Sequence, residues 1–165
     1  IVGIIVGGSS NRMPFGIEQA KELAQLVNDY NSKIGGSVIV TTSRRTGDVA
    51  DSLLDKLRSL KNENFYFHRW GESDNNPYLA ILSYSDILIV TGDSISMLSE
   101  ACAAPGNVYI YTPKEFLSAK HLRFHQELYT MDAARPFNNK TNEWKSAQFN
   151  SANDLAKELK IRLGW

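Results

Sequence analysis

The sequence predicts an α/β protein: a doubly wound, Rossmann-like parallel sheet of five strands in the order 3-2-1-4-5, within one domain over residues 1–165. Two observations carry that expectation. Short, almost uninterrupted apolar runs rich in β-branched residues recur along the chain, as strands do when both faces of a parallel sheet are covered. Amphipathic stretches with apolar residues three and four apart lie between them, and strict alternation of the two patterns leads to parallel strands joined by crossover helices.

The first strand is read at Ile1–Val6; a chain that opens inside a strand is expected to be an excised fragment. Ile17, Ala20, Leu23, Ala24 and Val27 mark one face of a helix from about Phe15 to Asn31, ended by Gly35-Gly36. Ser37–Thr41 is the second strand. Val49, Leu53, Leu54 and Leu57 mark the next helix, with Asp48 as its N-cap. After the strand Phe65–Phe67, Pro77 opens a short helix carrying Tyr78, Leu79, Ile81 and Leu82. The fourth strand, Asp86–Val90, precedes a helix marked by Ile95, Leu98, Ala101 and Cys102. Val108–Tyr111 and a helix from Ser118 to Tyr129 follow; Met131–Phe149 has no clear periodicity, and Asn150–Leu163 reads as a last amphipathic helix.

Composition narrows the function classes. With 42% hydrophobic and 22% charged residues the chain is globular, and its 18 basic and 18 acidic residues leave no global positive field for nucleic acid. The single Cys102 excludes an internal disulfide framework and suits a reducing compartment, and its place beside Leu98 reads as a packed core thiol. No apolar run reaches the roughly 18 residues of a membrane helix. A cytoplasmic protein of bacterial origin is expected.

In a doubly wound sheet, ligands sit at the carboxyl ends of the strands where strand order reverses. Here Gly7-Gly8-Ser9-Ser10-Asn11 should therefore face Thr91-Gly92-Asp93-Ser94. No dinucleotide fingerprint, P-loop or nucleophile elbow is present. His121 and His125 stand four apart, but Leu122 replaces a zinc protease's glutamate, so they read as surface or cap histidines and no metal site is assigned.

Three further polar clusters fall on the same rim. The turn at Gly92, Asp93, Ser94 and Ser96 enters a helix whose free amides and dipole could seat a diphosphate, with Glu100 two turns along; equally, Asp93 or Ser94 could simply cap the helix. Ser43, Arg44 and Arg45 at the end of the second strand are either a phosphate clamp or an exposed basic turn. The loop Trp70–Tyr78, with Gly71 and Asn76, could line a base or sugar pocket or be a plain connection. Taken together the clusters favour a phosphate-bearing ligand.

Gly7-Gly8-Ser9, Thr42-Ser43-Arg44-Arg45-Thr46, Asn76-Pro77-Tyr78, the run Asp93 to Cys102, and Arg135-Pro136-Phe137 occur in that order. Over residues 1 to 145 this pattern resembles the mitochondrial-fission "elongated mitochondria" family, whose bacterial members are labelled predicted nucleoside-diphosphate-sugar epimerases. The middle segment is also similar to the donor half of GT-B glycosyltransferases such as the lipid-linked N-acetylglucosaminyl transferase of peptidoglycan synthesis. The resemblance implies the C-terminal half of a two-domain protein that binds a UDP-sugar as substrate, without a cofactor. Gly92 to Ser96 would hold the diphosphate, Glu100 the ribose, and residues near His68 to Gly71 the base. It leaves the catalytic residues unknown: the acceptor site, any lipid or membrane contact and the general base would belong to the other half. Transferase, epimerase and non-catalytic interaction module all remain open at this point.

Overall fold

The computed structural model describes residues 1–9, 14–60, 64–72, 75–115, 118–142 and 144–145. In chain order it contains β1 (Val2–Val6), α1 (Ile17–Ile34), β2 (Val38–Thr42), a 3-10 turn (Arg44–Thr46), α2 (Val49–Ser59), β3 (Phe65–His68), α3 (Tyr78–Tyr84), β4 (Ile87–Thr91), α4 (Ile95–Cys102), β5 (Asn107–Tyr111), α5 (Ala119–Thr130) and β6 (Arg135–Pro136). All strands pair in parallel, in the order β3-β2-β1-β4-β5-β6.

The expected five-strand order is preserved and one strand is added. Arg135–Pro136 pairs with Tyr109 and Ile110 of β5. Two exposed residues, one of them proline, carry neither apolar runs nor alternation, so periodicity could not reveal this strand. The expected helix at Asn150–Leu163 lies outside the described residues.

Side chains alternate across the sheet into two cores. Val2, Ile4, Val6, Val38, Val40 and Ile89 pack on one face with Leu23 and Val27 of α1 and Leu53 and Leu57 of α2. Ile5, Leu88, Val90, Val108 and Ile110 pack on the other with Ile81 of α3, Leu98 and Cys102 of α4 and Leu128 of α5. Each such leucine, fully buried, contributes about 2 kcal/mol. Gly35 (φ 66°) ends α1 in the left-handed region, and its amide bonds back to the Asn31 carbonyl. Every β-to-α loop thus opens at one edge of the sheet, the rim formed by the strands' carboxyl ends.

Candidate functional site

The rim is organised by one buried carboxylate. Asp93 follows β4, and its side chain is wholly shielded from solvent. Oδ2 accepts hydrogen bonds from the Gly8 amide (3.1 Å) and from Arg45 Nη2 (2.7 Å). Oδ1 accepts from Thr91 Oγ1 (2.6 Å), and the same threonine oxygen accepts the Gly7 amide (2.7 Å). A buried charge is tolerated only when paired and hydrogen-bonded, and this one is both. The glycines are required by closeness: a Cβ on Gly7 would run into the Asp93 carboxylate, and one on Gly8 into the Arg45 backbone carbonyl.

The turn after β2 is stitched to the same loop. Ser43 Oγ donates to the Gly7 carbonyl (2.9 Å), and Thr46 Oγ1 bonds to that carbonyl as well. Arg45 is therefore held against Asp93, while its neighbour Arg44 is exposed and forms no ion pair among the described residues. Ser9 turns away: its hydroxyl donates to the Phe15 carbonyl and accepts the Phe15 amide (2.8 and 2.9 Å). Ser10 and Asn11, expected to face the fourth strand, lie outside the described residues.

Ser94 is the N-cap of α4, accepting the Met97 amide at 3.4 Å, and its hydroxyl lies 3.2 Å from that of Ser96. The first-turn amides of α4 have no acceptor within the helix and sit at its positive end. Glu100, exposed one turn further along, accepts a 2.6 Å bond from the Tyr78 hydroxyl. Asn76 Oδ1 accepts from Thr41 Oγ1 (3.2 Å) and from the Tyr78 amide (3.0 Å), anchoring the start of α3 to β2. The Trp70 amide donates to Thr42 Oγ1 (2.9 Å) while half the residue is exposed at 51%, and Gly71 turns the chain with φ 89°.

One expectation is corrected here. His125 is neither a surface nor a cap residue; it is buried beneath the Gly92 turn, where Nε2 donates to the Gly92 carbonyl (2.9 Å). Burial holds its imidazole below the ordinary range, against the Gly92 hydrogen bond, which acts in the opposite direction. His121 does meet the cap residue of α5, with Nδ1 2.6 Å from Ser118 Oγ. No three His, Cys, Asp or Glu side chains among the described residues gather closely enough to hold a metal ion. Cys102 lies in the core, its thiol pushed up to about 12 by burial.

A family model described as "Mitochondrial fission ELM1" matches residues 1–163. The chain belongs to this family. It is 31% identical over 163 residues to "Uncharacterized protein RP120" of Rickettsia prowazekii (strain Madrid E), covering 97% of this chain and 46% of that protein. It is 25% identical over 171 residues to "Mitochondrial fission protein ELM1" of Arabidopsis thaliana, covering 100% of this chain and 39% of the relative. The chain thus spans less than half the length of these curated relatives. Among solved structures, AnUbiX (PadA1) in complex with FMN and dimethylallyl pyrophosphate superposes with a TM-score of 0.46 at 12% identity, over 98% of this chain and 88% of that one, too loosely to bear on function.

In this ELM1-family chain the rim residues fall into two groups. Gly7, Gly8, Ser43, Arg45 and Asp93 close on one another, and Ser9 closes on Phe15. Arg44, Ser94, Ser96, Glu100, Trp70, Gly71 and Asn76 lie around them, partly or fully exposed. Sequence reasoning missed the roles of Thr91, Thr46 and His125. The last had a signal: Ser118, His121, His125 and Leu128 share one helical face by spacing, and Leu128 is apolar. Separate hollows of about 410 and 390 Å³ adjoin Tyr30, one lined also by Asn138 and Thr141 and the other by Ile87, Asn107 and Trp144. The second opens near the amino ends of β4 and β5, across the sheet from the rim.

Proposed function

We propose that this chain is the donor-nucleotide domain of a GT-B-type, glycosyltransferase-like protein, binding a UDP-sugar or a close analogue at the rim. The observation that carries this reading is the convergence of four polar loops at the β1/β4 reversal, the position where open α/β sheets take their ligands. The exposed Arg44 guanidinium and the first turn of α4 supply positive charge and donors for a diphosphate. Glu100 would accept from ribose hydroxyls, and Trp70, Gly71 and Asn76 would border the base or sugar. In transfer, Arg44 and the α4 end would stabilise the charge that builds on the departing diphosphate. Acceptor, general base and any lipid contact would come from the rest of the longer protein, which we take to work in the bacterial cytoplasm.

The test is a titration of the chain with UDP, GDP and a UDP-sugar, followed by amide shifts in NMR. Saturable shifts confined to the loops after β1, β2 and β4 support the reading and identify the base. If Arg44→Ala combined with Glu100→Ala leaves UDP-sugar affinity unchanged in the full-length protein, the assignment is wrong. A GT-B-type epimerase would use the same pocket; incubating the full-length protein with UDP-sugar alone separates the two, because epimerisation needs no acceptor.

A second reading is a binding module without chemistry, since a fold of this kind does not fix a reaction. Asp93 favours it, since the chain's own carboxylate uses the Gly8 amide and Arg45 that a ligand phosphate would want. The absence of any nucleotide-induced shift in the full-length protein would decide for it.

A further inference from the structure

The Asp93 cluster has the composition of an anion site. One loop amide, a hydroxyl and a guanidinium point at one place: Gly8 N–H from the loop after β1, Thr91 Oγ1 at the end of β4, itself accepting the Gly7 amide, and Arg45 from the turn after β2. A backbone amide, a hydroxyl and a guanidinium converging on one point are the ordinary chemistry of a phosphate or sulfate seat. What fills it is a carboxylate tethered to the chain, wholly buried and with both oxygens bonded. Arg44 is adjacent in sequence and exposed, as Arg45 also is, but it forms no ion pair among the described residues.

We propose that Asp93 is a resident anion occupying a true anion seat built by Gly8, Thr91 and Arg45, and that Arg44 is consequently the arginine that meets a ligand's phosphates. The second half of this proposal rests on the donor-nucleotide reading; the first half does not. Asp93 is then a specificity-determining residue. It keeps small mobile anions out of the strand-reversal point and pairs with Arg45, so that the unneutralised positive charge of this turn is one guanidinium rather than two. Arg45 is a positioning residue, joining the loops after β1, β2 and β4 through a single carboxylate.

Inorganic phosphate and UDP are the probes. In the wild-type chain, titration with either is expected to shift the Arg44 guanidinium NMR signal while the Arg45 guanidinium and Gly8 amide stay fixed. Arg44→Ala should weaken UDP binding about tenfold, the loss of a charged hydrogen-bonding partner, with the melting temperature unchanged. Saturable movement of the Arg45 and Gly8 signals would overturn the proposal. In Asp93→Ala the seat is vacated, and phosphate that refills it stabilises the folded form by mass action.

The expected result is a larger rise in melting temperature with phosphate than the wild type shows, at ionic strength matched with chloride, and loss of the excess when Arg45→Ala is added. If Asp93→Ala does not fold in chloride, recovery of folding in phosphate is the same result. No rescue of either kind overturns the proposal. If UDP fails to bind the wild type while phosphate still rescues Asp93→Ala, the donor-nucleotide reading falls and the resident anion stands.

Discussion

The Tyr78 hydroxyl donates a 2.6 Å hydrogen bond to Glu100 Oε2, tying the first turn of α3 to α4 across the rim. The bond holds the carboxylate in one orientation, and Tyr78 is itself set by Asn76, which caps its amide. Burial, and then the hydrogen bond and negative charge of Glu100, raise the tyrosine's pKa above its ordinary value near 10. In Glu100→Gln, Tyr78 is expected to ionise at lower pH than in the wild type, yet still above the ordinary range because burial remains. The Cζ chemical shift of Tyr78 across an alkaline titration measures this. Tyr78→Phe should cost about 0.5–1.5 kcal/mol in urea unfolding.

His125 makes stability depend on pH. Its folded pKa lies below the ordinary value of about 6.5, with burial as the leading cause. Below that ordinary value the unfolded chain binds a proton that the folded chain resists. The contribution of the neutral imidazole is therefore present above about pH 6.5 and lost as pH falls toward the folded pKa. Urea unfolding should show lower stability at about pH 5 than at about pH 7.5. His125→Phe should flatten that difference while lowering stability at the higher pH, since the Gly92 carbonyl loses its donor.

Cys102 should be inert in the native state. Burial pushes its thiol up to about 12, so almost none is thiolate at about pH 8. A disulfide reagent such as Ellman's is expected to react only after denaturation. Rapid labelling of the folded chain would contradict the packing of α4 described above.

The rim glycines should not tolerate alanine equally. A Cβ on Gly8 meets the Arg45 backbone, which cannot swing aside, whereas one on Gly92 meets the His125 ring at 2.5 Å, which can move only into packed neighbours. Both substitutions should cost at least about 1–3 kcal/mol by denaturation, Gly8→Ala the more. Gly35→Ala meets no atom within 4 Å and should cost only the strain of its positive φ, about 1–3 kcal/mol.

The order of the five main strands was legible because buried parallel strands are written locally, as in Val38–Val40 or Ile87–Val90. The rim was legible as a location for the same reason, since topology alone puts Gly7 opposite Asp93. The partnership of Arg45 with Asp93, 48 positions apart, was not. Each residue alone is consistent with a capped helix, an exposed turn or a ligand clamp, and only the folded distance chooses between them. His125 was misread because its spacing from His121 was weighed as a metal motif before its helical phase, although Leu128 three positions on marks the buried face. β6 was missed for a different reason: two residues are too few to carry a period.

The short β6 strand also limits how copies of this chain can associate. Along a strand, successive amides point to opposite sides, and the Phe137 amide points inward to the Ile110 carbonyl. The preceding position, whose amide would face outward, is Pro136, which has no N–H to offer. At this position the border of the sheet offers no outward donor. Strand addition at β6, whether as domain exchange or as aggregation, is therefore disfavoured by one missing ladder bond.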